Sequence, residues 1–175
     1  DTDGEAGALT GAILPEDDLA AVVQKVLQVN QRALSETAAL LDVDALAKAV
    51  AFMSAARRIA FFGVGASLVA AQKAADKFMR IEPKVRCVND AHAQAMVAST
   101  LGPEDVAVVI SYSGSTKDTN AVAQLAQATG AKVIAITRFH KSPLTEFTDV
   151  TLLCGANESP LQGGSSSADI SQSFL

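Results

Sequence analysis

The chain has 175 residues, 49% apolar, 19% charged and 5% aromatic, with a formal net charge of −5. That is enough apolar material for the core of one domain with a flanking arm. An acidic balance without a Lys/Arg cluster or stacking aromatics makes this chain a poor nucleic-acid binder by itself, because such binding rests on neutralised phosphates.

Residues 1–14 are rich in Gly, Ala and Asp, show no periodicity, and read as a tail or linker. Pro15 followed by Glu16, Asp17 and Asp18 marks a helix start. Leu19, Val22, Val23, Val26, Leu27, Ala33, Leu34, Ala38 and Leu41 recur at spacings of three and four, which predicts one long amphipathic helix to about Leu41. Asp42 or Asp44 caps a second helix, Ala45 to Ala56, with Leu46, Val50 and Met53 on its buried face. Two helices before the first strand make an α-helical prelude that packs on a sheet or on a partner subunit.

Alternation of strand and helix begins at Arg57-Arg58. Ile59 to Phe62 predicts a strand, Gly63-Val64-Gly65-Ala66-Ser67 a loop, and Leu68 to Arg80 a helix. Lys84 to Val88 is a second strand, and Asn89-Asp90 caps a helix from Ala91 to Thr100. Val106 to Ile110 is a β-branched third strand that breaks into Ser111-Tyr112-Ser113-Gly114-Ser115-Thr116 before another helix ending at Gly130. Lys132 to Thr137 and Val150 to Leu153 are further strands, with a short helix at Pro143 to Phe147 between them. Unbroken apolar strands alternating with helices predict an α/β fold, a doubly wound five-stranded parallel sheet with a helical arm at its N-terminal side. Ligands of such folds sit at the carboxyl ends of the strands, so the first and third loops are expected to face one site. After Gly155 the pattern dissolves, and Ala168 to Leu175 begins a helix that the chain stops short of finishing, as in a truncated chain.

The third loop carries the chemistry. Backbone amides and hydroxyls at a helix N-terminus favour an anion, and the loop holds no Lys or Arg. The expected ligand is a phosphate monoester held by hydrogen bonds. The plain alternative is that Ser and Thr serve only as caps and turn residues. Gly63-Val64-Gly65 invites a dinucleotide reading, but the third glycine of that fingerprint is replaced by Leu68. A P-loop is excluded because no G-K-[ST] occurs. Two histidines, His92 and His140, without CxxC or HExxH spacing give no metal site, and no cofactor is expected. Cys87 and Cys154 each lie in an apolar run and read as buried free thiols, which fits a reducing compartment, the cytoplasm. No apolar run is long enough to cross a bilayer.

The motif S-x-S-G-x-T after a strand, Ser111 to Thr116, resembles the phosphate loop of the SIS (sugar isomerase) domain, and Gly65-Ala66-Ser67 resembles its first loop. Arg58 to Ser67, Lys77 to Ile81, Asp90 to Gln94, Gly102 to Val106 and Lys141 to Leu144 extend the likeness. From Pro15 to Leu175 the chain is similar to the effector-binding half of RpiR-family transcription regulators. The resemblance implies a flavodoxin-like sheet and a sugar phosphate as ligand. N-acetylmuramic acid 6-phosphate or another amino-sugar or hexose phosphate is the candidate. It implies ligand contacts from Gly65, Ala66, Ser67, Ser111, Tyr112, Ser113, Gly114, Ser115 and Thr116, with His92 and Glu158 as further candidates and no catalytic residue. It also implies a dimer or tetramer, and DNA contact only through a helix-turn-helix head that the residues before Pro15 do not form. A second reading is an aldose–ketose phosphosugar isomerase with Glu158 or His92 as base. Where such isomerases place a glutamate on the last helix, Ala168 to Leu175 has none, and Asp169 stands where the regulators commonly carry a basic residue.

Overall fold

The structure, a computed structural model, describes residues 13–155 and 165–175. Asp18 accepts from the Ala21 amide and caps α1, Leu19–Leu40. Asp42 caps α2, Val43–Ala55, by accepting from Asp44 and Ala45. Then follow β1 (Arg58–Phe62), α3 (Ala66–Phe78), β2 (Val85–Cys87), α4 (Ala91–Ser99), β3 (Asp105–Ile110), α5 (Lys117–Ala128) and β4 (Lys132–Thr137). A 3-10 turn at Pro143–Phe147, β5 (Val150–Leu153) and α6 (Ser165–Phe174) complete the described residues.

All strand pairs are parallel, in the order β2-β1-β3-β4-β5. Successive strand residues face opposite sides. Ile59, Phe61, Val106 and Val108 therefore pack with the alanines of α2 and α3. Ala60, Phe62, Ala107 and Val109 pack with those of α4 and α5. Helices thus cover both faces, as the unbroken apolar strands predict. The chain leaves β1 toward β2 on one side and β3 toward β4 on the other. The loops after β1 and β3 consequently diverge and open a crevice at the strand carboxyl ends.

The prelude differs from expectation in two places. Val50 is 55% exposed, and Ala49 is the residue α2 buries. In α1, Leu19, Val23, Val26 and Leu27 are all exposed, whereas Ala33 and Thr37 are buried. Only the second half of α1 rests on the domain, because only there does it meet α6 and the end of β5. The Thr37 hydroxyl accepts from the Gly155 amide at 2.8 Å and lies 3.2 Å from the Gly155 carbonyl. Of the two thiols, Cys154 is buried but Cys87 is half-buried, since β2 is an edge strand with α3 on one side only.

Below the sheet, at the strand amino ends, Asp105 is completely buried. Its carboxylate accepts from Arg58 Nε and Nη2, Arg57 Nη2 and the Gly102 amide. The Arg58 hydrogen bonds outweigh burial and hold this carboxyl below the usual aspartate range, while Arg58 is driven up. The folded chain therefore binds this proton less tightly than the unfolded chain does. The stabilisation is complete above the unfolded value of about 3.9 and is lost as pH falls through the lower folded value. Denaturant melts are expected to show stability falling below about pH 4. Asp105→Asn should be less stable at neutral pH and should lose part of that acid slope; an unchanged slope would contradict the assignment.

Candidate functional site

The β-branched run of β3 drives the chain straight through the core, with every residue from Asp105 to Ile110 buried. Beyond Ile110 the chain must turn into α5. The Gly114 amide donates to the Ser111 carbonyl at 3.2 Å, closing the turn. Gly114 has φ +62, a left-handed conformation that L side chains rarely adopt. The loop after β4 pins the turn from outside. The Arg138 amide and the Thr137 hydroxyl both donate to the Tyr112 carbonyl, at 2.9 and 3.1 Å, and the Leu144 amide donates to the Gly114 carbonyl at 2.9 Å. Tyr112 also meets Phe139 edge to face, centroids 6.4 Å apart.

The first loop is held differently. Gln94 of α4 is 1% exposed and closes both ends of its amide on one backbone residue. Its Nε2 donates to the Gly63 carbonyl at 2.9 Å, and its Oε1 accepts from the Gly63 amide at 3.3 Å. Gly65, with φ +60, then turns the chain into α3. Ser67, in the first turn of α3, accepts from Gln172 Nε2 of α6 at 3.2 Å, and both residues are buried.

The two loops line one hollow of about 160 Å³. Val64, Ala66 and Ser67 come from the first loop, Ile110 to Ser113 from the end of β3 and the second loop, and Thr116 and Thr119 from the start of α5. The structure thus brings Ala66, Ser67, Ser111, Tyr112, Ser113 and Thr116 together. Gly65, Gly114 and Ser115 shape the loops without lining the hollow. Ser115 donates to the Ser113 hydroxyl oxygen from its backbone amide at 3.3 Å and from its own hydroxyl at 3.0 Å. His92 is exposed in the first turn of α4 and does not line the hollow. Glu158 lies outside the described residues.

Among the described residues, no charged side chain lines this hollow. Its polarity comes from hydroxyls and from two helix N-termini. Neither Gly65 nor Thr116 caps its helix through a side chain. The first helical bond of α5 runs from the Asn120 amide to the Thr116 carbonyl, so the amides before it have no acceptor inside the helix. An anion at this point meets donors and the positive end of the helix dipole. A group with negative charge and several acceptor oxygens matches the donor set; a cation does not.

The sequence reading missed Gln94 and Gln172. For Gln94 a signal existed. Gln94, Ala98 and Leu101 recur at helical spacing on the stripe that α4 buries, and a polar side chain on a buried stripe needs partners. Gln172 had no comparable signal.

Comparison with known proteins places this geometry. The curated relatives include a transcription regulator of the helix-turn-helix type from Caldanaerobacter subterraneus subsp. tengcongensis. It is 38% identical over 164 residues, covering 94% of this chain and 58% of that protein. The regulator RpiR of Escherichia coli K12 is 36% identical over 154 residues, covering 88% of this chain and 52% of the relative. The chain therefore spans about half the length of the curated relatives it matches. Among solved structures, Vibrio vulnificus NanR complexed with ManNAc-6P superposes with a TM-score of 0.82 at 31% identity, covering 91% of this chain and 59% of that one. The sugar isomerase domain of an RpiR transcription factor from Sphaerobacter thermophilus gives 0.76 at 20% identity, over 85% of each chain, and shows the shared fold. The family model of the SIS domain matches residues 52–173. That match runs from within α2 into α6 and takes in the whole sheet and both loops, so the chain belongs to the SIS domain family.

Proposed function

We propose that the chain is the effector-sensing part of an RpiR-type transcription regulator, that it binds a sugar phosphate in this hollow, and that it performs no chemistry on it. The observation that carries the reading is the convergence of two hydroxyl-bearing loops and two helix N-termini on one hollow that no charged side chain among the described residues lines. The relatives named as transcription regulators, and the NanR complex with ManNAc-6P, support it. In this reading residues 15–175 form the sensing domain and 1–14 a tail. The phosphate sits against Ser111, Ser113 and Thr116, and the sugar oxygens reach Ser67. A volume of about 160 Å³ accommodates the phosphate and its neighbouring carbons, and the rest of the sugar extends past the rim toward Tyr112. ManNAc-6P, N-acetylmuramic acid 6-phosphate and other amino-sugar or hexose phosphates are the candidates. The domain works in the cytoplasm as a dimer or tetramer, and DNA is contacted through a head outside this chain. Ligand binding biases the subunit arrangement and so the hold on DNA.

Thermal unfolding with a panel of sugar phosphates tests this. A ligand at one hundred times its dissociation constant stabilises by about 2.7 kcal/mol, roughly 5–10 °C for a domain of this size. The expected result is a shift with one phosphosugar, absent with its dephosphorylated form and strongly reduced in Ser113→Ala. Because no carboxylate, histidine or basic side chain among the described residues lines the hollow, the pH dependence should follow the ligand phosphate, with affinity falling below about pH 6. No shift with any member of the panel overturns the reading. Deuterium uptake from solvent into a bound sugar phosphate would instead mark an isomerase.

A further inference from the structure

Ser67 and Gln172 stand 105 positions apart, both buried, and are joined by one hydrogen bond. A carboxamide nitrogen can only donate, so Gln172 Nε2 occupies a lone pair of the Ser67 oxygen. Among the described residues, Ser67 donates to no acceptor of its own. It lines the hollow, so what it has left to offer there is its hydrogen. Ser113 shows the same arrangement on the opposite wall, where two donors from Ser115 meet its oxygen. In both loops a neighbour fills the acceptor side of a hydroxyl and leaves the donor side for the ligand.

The placement of Gln172 is itself over-determined. The Asp169 carboxylate, one turn earlier on α6, accepts from Lys73 of α3 at 2.7 Å. Ala168 packs with Ala33 of α1 and with Tyr112. The helix that carries Gln172 is thus clamped against α3, the helix whose first turn carries Ser67. Asp169 serves this clamp.

We infer that Gln172 is a positioning residue for ligand recognition: it orients the Ser67 hydroxyl as a donor, and the site accordingly selects a sugar phosphate presenting an acceptor oxygen at Ser67. This rests on the sugar-phosphate reading of the hollow. Gln172 touches no ligand atom in this account and acts only through Ser67. A carboxylate in its place would accept the Ser67 hydrogen and withdraw it from the hollow.

The test is a double-mutant cycle on the full chain, read by isothermal titration with the sugar phosphate that shifts the unfolding midpoint most. With Gln172 present, Ser67→Ala should weaken binding about five- to tenfold, the worth of one hydrogen bond. In the Gln172→Glu background, Ser67→Ala should change nothing further, because the hydroxyl no longer points at the ligand. The cycle cancels any through-space repulsion between the new carboxylate and the phosphate. If Gln172→Glu does not fold, as judged by circular dichroism, Gln172→Met keeps the volume and removes the donor. In that background the Ser67→Ala factor should fall to less than half its wild-type value. An equal Ser67→Ala factor in all backgrounds overturns the inference while leaving sugar-phosphate binding intact. So does wild-type affinity in Gln172→Glu, which would mean that the amide oxygen faces Ser67. If the wild-type chain binds no sugar phosphate, the functional reading fails, and this inference fails with it.

Discussion

Gly114→Ala is expected to abolish effector binding and to cost about 2–5 kcal/mol of stability, from left-handed strain of 1–2 and overpacking of 1–3. An added Cβ would sit 2.2 Å from Ser142 Oγ, 2.6 Å from Ser142 Cβ and 3.1 Å from Thr137 Oγ1. These neighbours cannot move away cheaply. Thr137 is bonded to the Tyr112 carbonyl, and the Ser142 backbone is tied to Thr145 at the start of the 3-10 turn. Relief must therefore come from the loop itself, whose turn sets the spacing of Ser111, Ser113 and Thr116. Denaturant melts give the stability, and titration with the identified sugar phosphate gives the binding. A variant that keeps the wild-type midpoint and affinity would show that the loop adapts and that its rigidity is not what builds the site.

Gly155→Ala is expected to undock the arm. Its Cβ would meet Glu36 Cβ at 2.5 Å, Glu36 C at 2.7 Å and the Thr37 amide nitrogen at 2.7 Å. Two of those three atoms belong to the backbone of α1, so the helix must shift as a body. The shift breaks both contacts of the buried Thr37 hydroxyl with Gly155. Overpacking of 1–3 kcal/mol and the unpaired groups at 1–3 kcal/mol together give about 2–6 kcal/mol. Unlike the Gly114 change, this one leaves the turn of the second loop untouched, and any loss of binding should run through Ala168 and Tyr112, which pack with Ala33 of α1. Hydrogen exchange should rise sharply along residues 33–40, and the sheet amides should stay protected. Loss of protection across the whole sheet would show that arm and domain fold as one unit.

These two glycines also show where the sequence was informative. The strands were legible because each is a short apolar run bounded by turn residues, and the hydroxyl loop because it interrupts such a run. The caps at Asp42 and Asp90 were legible because capping is local, whereas the helix start expected at Pro15 lies at Leu19, behind the Asp18 cap. What was not legible joins distant positions. Gln94 and Gly63 are 31 residues apart, and Thr37 and Gly155 are 118 apart. Nothing in the spacing of either pair announces a contact, because each depends on how helices settle over a sheet already formed. Val50 went wrong for a related reason. The apolar stripe of α2 is wider than the surface it covers, and Ala49 lets the helix approach where Val50 would hold it off. His92 and Gln94 make the contrast within one turn of α4: the exposed one drew attention as a candidate base, while the buried one does the holding.

The contact between Thr37 and Gly155 also sets an order of events at synthesis. The arm leaves the ribosome first, yet the surface that receives it is 118 residues further along the chain. At 5–20 residues per second the arm waits roughly 6–24 s before its seat exists. During that interval the residues of the arm that later dock, Ala33 and Thr37, have no seat, and Leu19, Val23 and Val26 stay exposed beside them. A nascent chain halted before Gly155 would thus present a long amphipathic helix to whatever is nearby, whether a chaperone or another nascent copy. Assembly between neighbouring chains on one message then has its opportunity before the domain is complete.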